Sequence, residues 1–336
     1  MPQHPILLVG GSGVIGRWTA RLLRAAHPDA PLLIGGRDRV KTESVAAGIG
    51  HAEGVVLDLA AEDLGLGTQP VSAVAIFFKD DSLAALHFAQ ARGVPHMSIS
   101  SSIHEIGPEV AAYMHRPSAM PVVLGAEWLV GATTIPALEA ARTFGEIDDV
   151  SIGALLDEQD TGGPAAALDV ERLIASTPAA LTRRGGNYIW RSGDDAKVTF
   201  RAADGTVTQA DALAPYDVVG LATALGAPNV QFNLAMGISS SRRRGEPFST
   251  EIIIELSGRD HAGKPLRTRH AVVHPEGQMP LTGLGVAMVL ERLAGLGGQL
   301  KVAPGLYFPY QLLEPETYLA RLKQAGGTIL RLDAET

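Results

Sequence analysis

Four glycines fall within seven residues near the start of the chain, in Gly10-Gly11-Ser12-Gly13-Val14-Ile15-Gly16. Glycine weakens a helix or strand by roughly 0.5–1 kcal/mol relative to alanine, so such a cluster marks a backbone that must pass where no side chain fits. Before it lies the apolar run Pro5–Val9, the pattern of a central parallel strand covered on both faces. After it, Ile15, Ala20, Leu22 and Leu23 form a helical stripe that Pro28 helps to end. Gly11, Gly13 and Gly16 thus spell GxGxxG between a strand and a helix. The first glycine makes the tight turn, the second admits a pyrophosphate to the backbone, and the third lets helix and strand pack closely. Free N–H groups at the helix start favour the anion. Gly11, Ser12, Gly13, Val14, Ile15 and Gly16 are the expected dinucleotide cradle.

The next apolar run, Pro31–Ile34, leads into IGGRDRVK. An NAD site usually carries an acid about 20 residues past the glycines, whereas an NADP site offers arginine. Arg37 stands there, with a guanidinium suited to the 2′-phosphate. Asp38 follows and could turn to solvent or bind a ribose. The expected cofactor is NADP(H), with Arg37 and Asp38 in its site.

Further apolar runs arrive at Gly54–Leu59, Val71–Phe78, Val94–Ile99 and Pro121–Gly125, with a helical pattern over Leu83–Ala91. The alternation predicts βαβ units and a doubly wound parallel sheet, a Rossmann α/β fold. Ligands in such sheets lie beyond the carboxyl ends of the strands, which directs attention to particular residues. Asp58 could meet the adenine or cap a turn. Phe78 and Lys79 end the fourth run, and Lys79 is the first candidate for proton transfer, against a surface pair with Asp80 or Asp81. His96 reads as a catalyst or a hydrogen-bonded core histidine. Ser98 to Ser102 and His104 form a polar strand end, and Glu127 could bind a ribose or a substrate amine. The catalytic candidates are Lys79, Glu127 and His96, with Asp58, Phe78 and Lys79 added to the cofactor site.

Composition narrows the classes. With 336 residues, 46% hydrophobic, the chain can bury two cores. It has no cysteine, which removes disulfides, thiolate catalysis and cysteine-bound metals and fits a reducing, cytoplasmic setting. A formal charge of −8 with no basic domain argues against nucleic acid. The apolar runs are far too short to span a bilayer, and no signal peptide or metal motif is visible.

From about residue 146 the texture changes. Val150–Leu156, Lys197–Arg201, Thr206–Gln209, Ser249–Leu256 and Thr268–Val273 read as strands. Pro164 would open a helix and Thr282 would cap one running through Leu296. The expected division is 1–130 for the nucleotide domain and 131–311 for a mixed α+β substrate and dimerisation domain. A C-terminal helix at about 312–326 is expected to pack back on the first. Two basic clusters could receive a substrate carboxylate: Arg183-Arg184 with Tyr188, Trp190 and Arg191, and Arg242-Arg243-Arg244.

Taken in order, LLVGGSGVIGRW, IGGRD, VVLDL, GAEWLVGATTIPALEAAR (125–142), LTGLGVAMVLERLAG (281–295) and GLYFPYQLLEPETYLARLKQAG (305–326) resemble the saccharopine dehydrogenase-like oxidoreductases. The resemblance implies a Rossmann domain with a second α+β domain that often dimerises, and nicotinamide-dependent redox chemistry, often at a carbon–nitrogen bond. The chain departs from the family pattern at Ser98, where an acid is frequent, and at Glu127-Trp128, where Pro-Gly often sits. The sequence admits two other readings. Gly10, Gly13 and Gly16 also fit a short-chain dehydrogenase or epimerase, but no tyrosine is followed four positions later by lysine. A catalytically silent NADP-binding sensor or subunit is the other. The leading expectation is an NADP-dependent oxidoreductase acting on a small polar molecule as a homodimer.

Overall fold

The computed structural model describes residues 4–99, 102–162, 168, 171–172 and 179–333. The chain divides into two units, one of residues 1–126 with 282–313, the other of 127–281 with 314–336. The first begins β1 (Ile6–Val9), α1 (Val14–Ala26), β2 (Leu32–Gly36), α2 (Arg39–Ile49) and β3 (Ala52–Val56). It continues with β4 (Ala73–Ile76), α3 (Ala84–Arg92), β5 (His96–Ile99), α4 (Gly107–His115) and β6 (Pro121–Gly125). The second holds α5 (Thr134–Ala141), β7 (Phe144–Asp157), β8 (Ala180–Arg184), β9 (Asn187–Arg191), β10 (Lys197–Arg201) and β11 (Val207–Leu213). Then come α6 (Asp217–Leu225), β12 (Asn229–Gly237), β13 (Thr250–Asp260) and β14 (Pro265–His274). Helix α7 (Gln278–Ala294) and β15 (Gly305–Tyr307) lead back to the first unit, and α8 (Pro315–Gln324) and β16 (Thr328–Leu332) close the second.

In the first unit the strands pair in the order β15-β6-β5-β4-β1-β2-β3, all parallel. The sequence reading of a doubly wound sheet holds, and the order from β3 to β6 is that of dinucleotide-binding folds. Strands β1, β4, β5 and β6 are buried at every residue, and β1, β4 and β6 accordingly run apolar without alternation, whereas β5 buries His96 and Ser98 as well. Helix α1 buries Gly16, Thr19, Ala20 and Leu23. Against it lies the 282–294 part of α7, where a side chain on Gly283 would meet Trp18 at 2.7 Å.

The second unit carries a nine-stranded mixed sheet, with the path β10-β11-β12-β7-β13-β14-β16 and the hairpin β8–β9 joined to β12. Only β12 and β7 run parallel within it. The strand expectations for this half are met with longer ends, because β7, β13 and β14 extend past the apolar runs into polar, solvated residues.

Several boundaries differ from the sequence reading. Strand β3 is Ala52–Val56, so Asp58 lies beyond it. Thr282 is no cap: it sits inside α7, which begins at Gln278 where Asp160 Oδ2 accepts the Gln278 amide at 2.7 Å. Helix α8 packs against α5 and β16 and groups with the second unit. Its buried Tyr318 and Leu322 supply the apolar face that places it there. The expected helix start at Gly163-Pro164 lies outside the described residues, as do Ser100 and Ser101. No described helix is long and apolar enough to cross a membrane.

Candidate functional site

The glycine turn joins β1 to α1. Gly10 holds a left-handed φ of +83°, and its amide donates to Gly35 O at 2.9 Å, tying the turn to β2. A Cβ on Gly16 would fall 2.5 Å from Gly11 Cα and 2.7 Å from Gly11 O. Gly16 must therefore lack a side chain, and so must Gly11, whose Cβ would fall 2.8 Å from Leu8 O. Gly13 caps α1 through its backbone without a side-chain bond, and no acid occupies the first turn. The amides of Val14, Ile15 and Gly16 therefore lack intrahelical acceptors and carry the positive end of the helix dipole. Ser12 is buried beside them. The arrangement fits a pyrophosphate and leaves no room for side chains in its place.

At the end of β2 the two neighbours Arg37 and Asp38 part company. Asp38 is the N-cap of α2, its Oδ1 accepting the Lys41 amide at 3.1 Å. Arg39 pairs with Glu43 at 3.5 Å. Arg37 is exposed and forms no ion pair among the described residues. Asp58 likewise serves its own turn, accepting the Ala60 amide at 2.9 Å.

Beyond β4, Phe78 lies over the turn, with Cδ1 at 2.9 Å from where a Gly10 Cβ would be. The Lys79 side chain is 11% exposed, with Nζ 3.9 Å from Asp81 Oδ1. Asp80 is occupied elsewhere, accepting from Ser82 Oγ at 2.6 Å and the Ala85 amide at 3.1 Å. His96 is buried in β5, but it is not the hydrogen-bonded core histidine expected, since neither ring nitrogen has a partner among the described residues. Burial pulls its pKa down to about 4 against an opposing effect from Asp80, so the imidazole is neutral at neutral pH. Ser98 donates to Glu109 Oε2 of α4 at 2.5 Å. The carboxylate that the family pattern leads one to expect at this strand end thus comes from a helix, a contact that nothing in the strand sequence signals.

Glu127 belongs to the second unit and is buried. It opens an unusual turn in which Leu129, Val130 and Gly131 have φ of 49°, 56° and 90°. Left-handed backbone costs a non-glycine residue roughly 1–2 kcal/mol. Asp217, the first residue of α6, clamps both ends of the turn. Its Oδ2 accepts the Trp128 amide at 2.6 Å and its Oδ1 accepts the Thr134 hydroxyl at 2.9 Å. Burial pushes the Asp217 pKa up to about 6, against the downward pull of those two bonds. Burial, reinforced by the Glu127 charge, holds Tyr318 above the usual tyrosine value. Sequence reasoning missed Asp217, Tyr318 and Glu109, each far from its partner along the chain.

The basic clusters are structural. Arg242 binds Asp157 at 2.7 Å and Glu158 at 3.0 Å, Arg243 binds Asp204 at 2.7 Å, and Arg244 binds Glu246 at 2.8 Å. Arg191 is buried, donating to Thr182 Oγ1 and Asn233 Oδ1. Arg183 lies 5.5 Å over the Tyr188 ring and donates to Ala222 O, and Arg184 pairs with Asp195. Tyr188 and Trp190 are about half exposed and so are not core residues.

No protein-family model and no curated protein sequence matches the chain. Solved structures do. Apo saccharopine dehydrogenase (L-Glu forming) from Saccharomyces cerevisiae aligns over 99% of this chain and 100% of its own, with TM-score 0.64 and 14% identity. Homospermidine synthase from Legionella pneumophila, solved in complex with NAD, aligns over 98% and 91%, with TM-score 0.64 and 10% identity. The chain shares the fold of these two structures over nearly its whole length.

Proposed function

We propose that the protein is an NADP(H)-dependent oxidoreductase acting at a carbon–nitrogen bond of a small polar substrate. The observation that carries this reading is the division of labour at the end of β2. Asp38, the residue that could have bound the ribose of NAD, is committed to the Lys41 amide, and Arg37 is left to meet a 2′-phosphate. The glycine cradle and the free amides of α1 would hold the pyrophosphate, and Phe78 would shield the turn. When bound, the dinucleotide supplies or accepts a hydride. Lys79, largely buried at the end of β4, is the group proposed to hold or move the accompanying proton. The carbon–nitrogen preference comes from the sequence resemblance. The homospermidine synthase that shares the fold was solved with NAD, so coenzyme choice is the point to test.

The test is nicotinamide fluorescence titration with NADPH and NADH in wild type and Arg37→Ala. A charge-assisted contact contributes about 1.5–3 kcal/mol, so the variant should lose roughly ten- to hundredfold in NADPH affinity and nothing for NADH. Binding of neither dinucleotide overturns the redox reading, and equal losses for both overturn the role of Arg37. We further propose a homodimer, following the family resemblance.

A further inference from the structure

The second unit contains a cavity of about 330 Å³ between its sheet and helices α5 and α8, lined by none of the candidate residues above. The strand register accounts for its chemistry. Along β14, Leu266, Thr268, His270 and Val272 alternate onto one face. Pairing sets Ile254 of β13 on one side of His270 and Arg331 of β16 on the other, and Ile329 beside Val272. Leu319 of α8 and Pro136 of α5 complete an aliphatic enclosure.

Five polar residues break that enclosure: Thr268, His270 and Arg331 on the strands, with Glu139 and Thr143 on the side of α5, where the Thr143 hydroxyl donates to Ala140 O at 3.1 Å. The Thr268 hydroxyl is buried with no hydrogen-bond partner among the described residues. His270, half-buried, is held below its usual pKa by burial and by the Arg331 charge next to it. Arg331 itself forms no ion pair among the described residues. With His270 held toward its neutral form, the Arg331 guanidinium is the positive charge on this face, and an anion entering the cavity would meet it. Glu139, the carboxylate on the wall, is held by Arg142 at 3.0 Å. An orphaned donor, an unanswered guanidinium and an aliphatic enclosure together define an amphipathic anion site, and its volume is at the small end for ligand pockets.

We propose that this cavity binds a small monocarboxylate with an apolar tail, its tail among Leu266, Leu319 and Ile329 and its carboxylate on Arg331 and Thr268. Arginine's planar fork matches a carboxylate, and the threonine hydroxyl donates to the same oxygens. The site is independent of the dinucleotide reading.

Isothermal calorimetry with octanoate on the full chain tests this, with octanol as the neutral control. Wild type should bind octanoate saturably at one site per chain and bind octanol roughly tenfold or more weakly. Arg331→Gln should weaken octanoate by roughly tenfold or more, the loss expected for one charge-assisted contact, with partial recovery in Arg331→Lys. Ala140→Phe, which fills the cavity from α5, should abolish binding while thermal unfolding remains cooperative. The two variants act by different means, so a folding defect in one leaves the other decisive. Absence of saturable binding to wild type, octanol binding as tight as octanoate, or a folded variant that binds like wild type overturns the proposal.

Discussion

Replacing Asp217 by asparagine separates the charge of this carboxylate from its shape. The side chain is fully buried and accepts two hydrogen bonds, from the Trp128 amide and the Thr134 hydroxyl. Its pKa of about 6 lies above the value of about 3.9 that an unfolded aspartate shows. Between those values the native chain keeps a proton that the unfolded chain has lost, so stability falls as pH rises through the window. At about 1.4 kcal/mol per unit the contribution is about 3 kcal/mol, fully present below about pH 4 and gone above about pH 6. Asparagine keeps an acceptor for the Trp128 amide, can donate to the Thr134 oxygen, and does not titrate. The assay is urea unfolding across that pH range in a Trp18→Phe background, where the remaining Trp128 and Trp190 both report the second unit. Other carboxylates cancel when the variant is compared with its parent. The asparagine chain should gain about 3 kcal/mol relative to its parent from about pH 4 to about pH 7. A difference flat to within about 0.5 kcal/mol across that span would show that Asp217 is not a buried, strained acid.

Other outcomes are expected. Gly16→Ala puts a methyl group 2.5 Å from Gly11 Cα; it should cost about 1–3 kcal/mol in thermal or urea unfolding and remove measurable dinucleotide binding, and unimpaired binding would contradict the cradle. Lys79→Met should lower turnover at saturating NADPH and flatten its pH profile, whereas unchanged turnover at every pH dismisses Lys79 as the proton-handling group. Gel filtration at micromolar concentration should give a dimer, and a compact monomer would remove that proposal.

The first unit was legible because its signals are local. An apolar run such as Pro5–Val9 is buried on both faces, and the spacing of Gly11, Gly13 and Gly16 answers to contacts within the same turn. What the sequence withheld depends on partners far along the chain. Asp217 reaches back 89 residues to the Trp128 amide, and Arg242 reaches 85 residues to Asp157. No pattern around Arg242-Arg243-Arg244 reveals that acids already answer them, so they read as free cations. His96 failed differently. Its burial follows from its place in a strand, but its lack of partners depends on which residues of α3 and α4 pack above it. The Thr282 boundary failed because Asp160, 118 residues before Gln278, caps α7 from a distance.

The cap on α2 bears on how such a protein could change its coenzyme. Asp38 is tied to helix architecture through the Lys41 amide, while Arg37 before it is exposed and forms no ion pair among the described residues. Under the proposed NADP reading, discrimination between the two nicotinamide dinucleotides would rest on position 37, and the start of α2 on its neighbour. Selection can alter one trait there without disturbing the other.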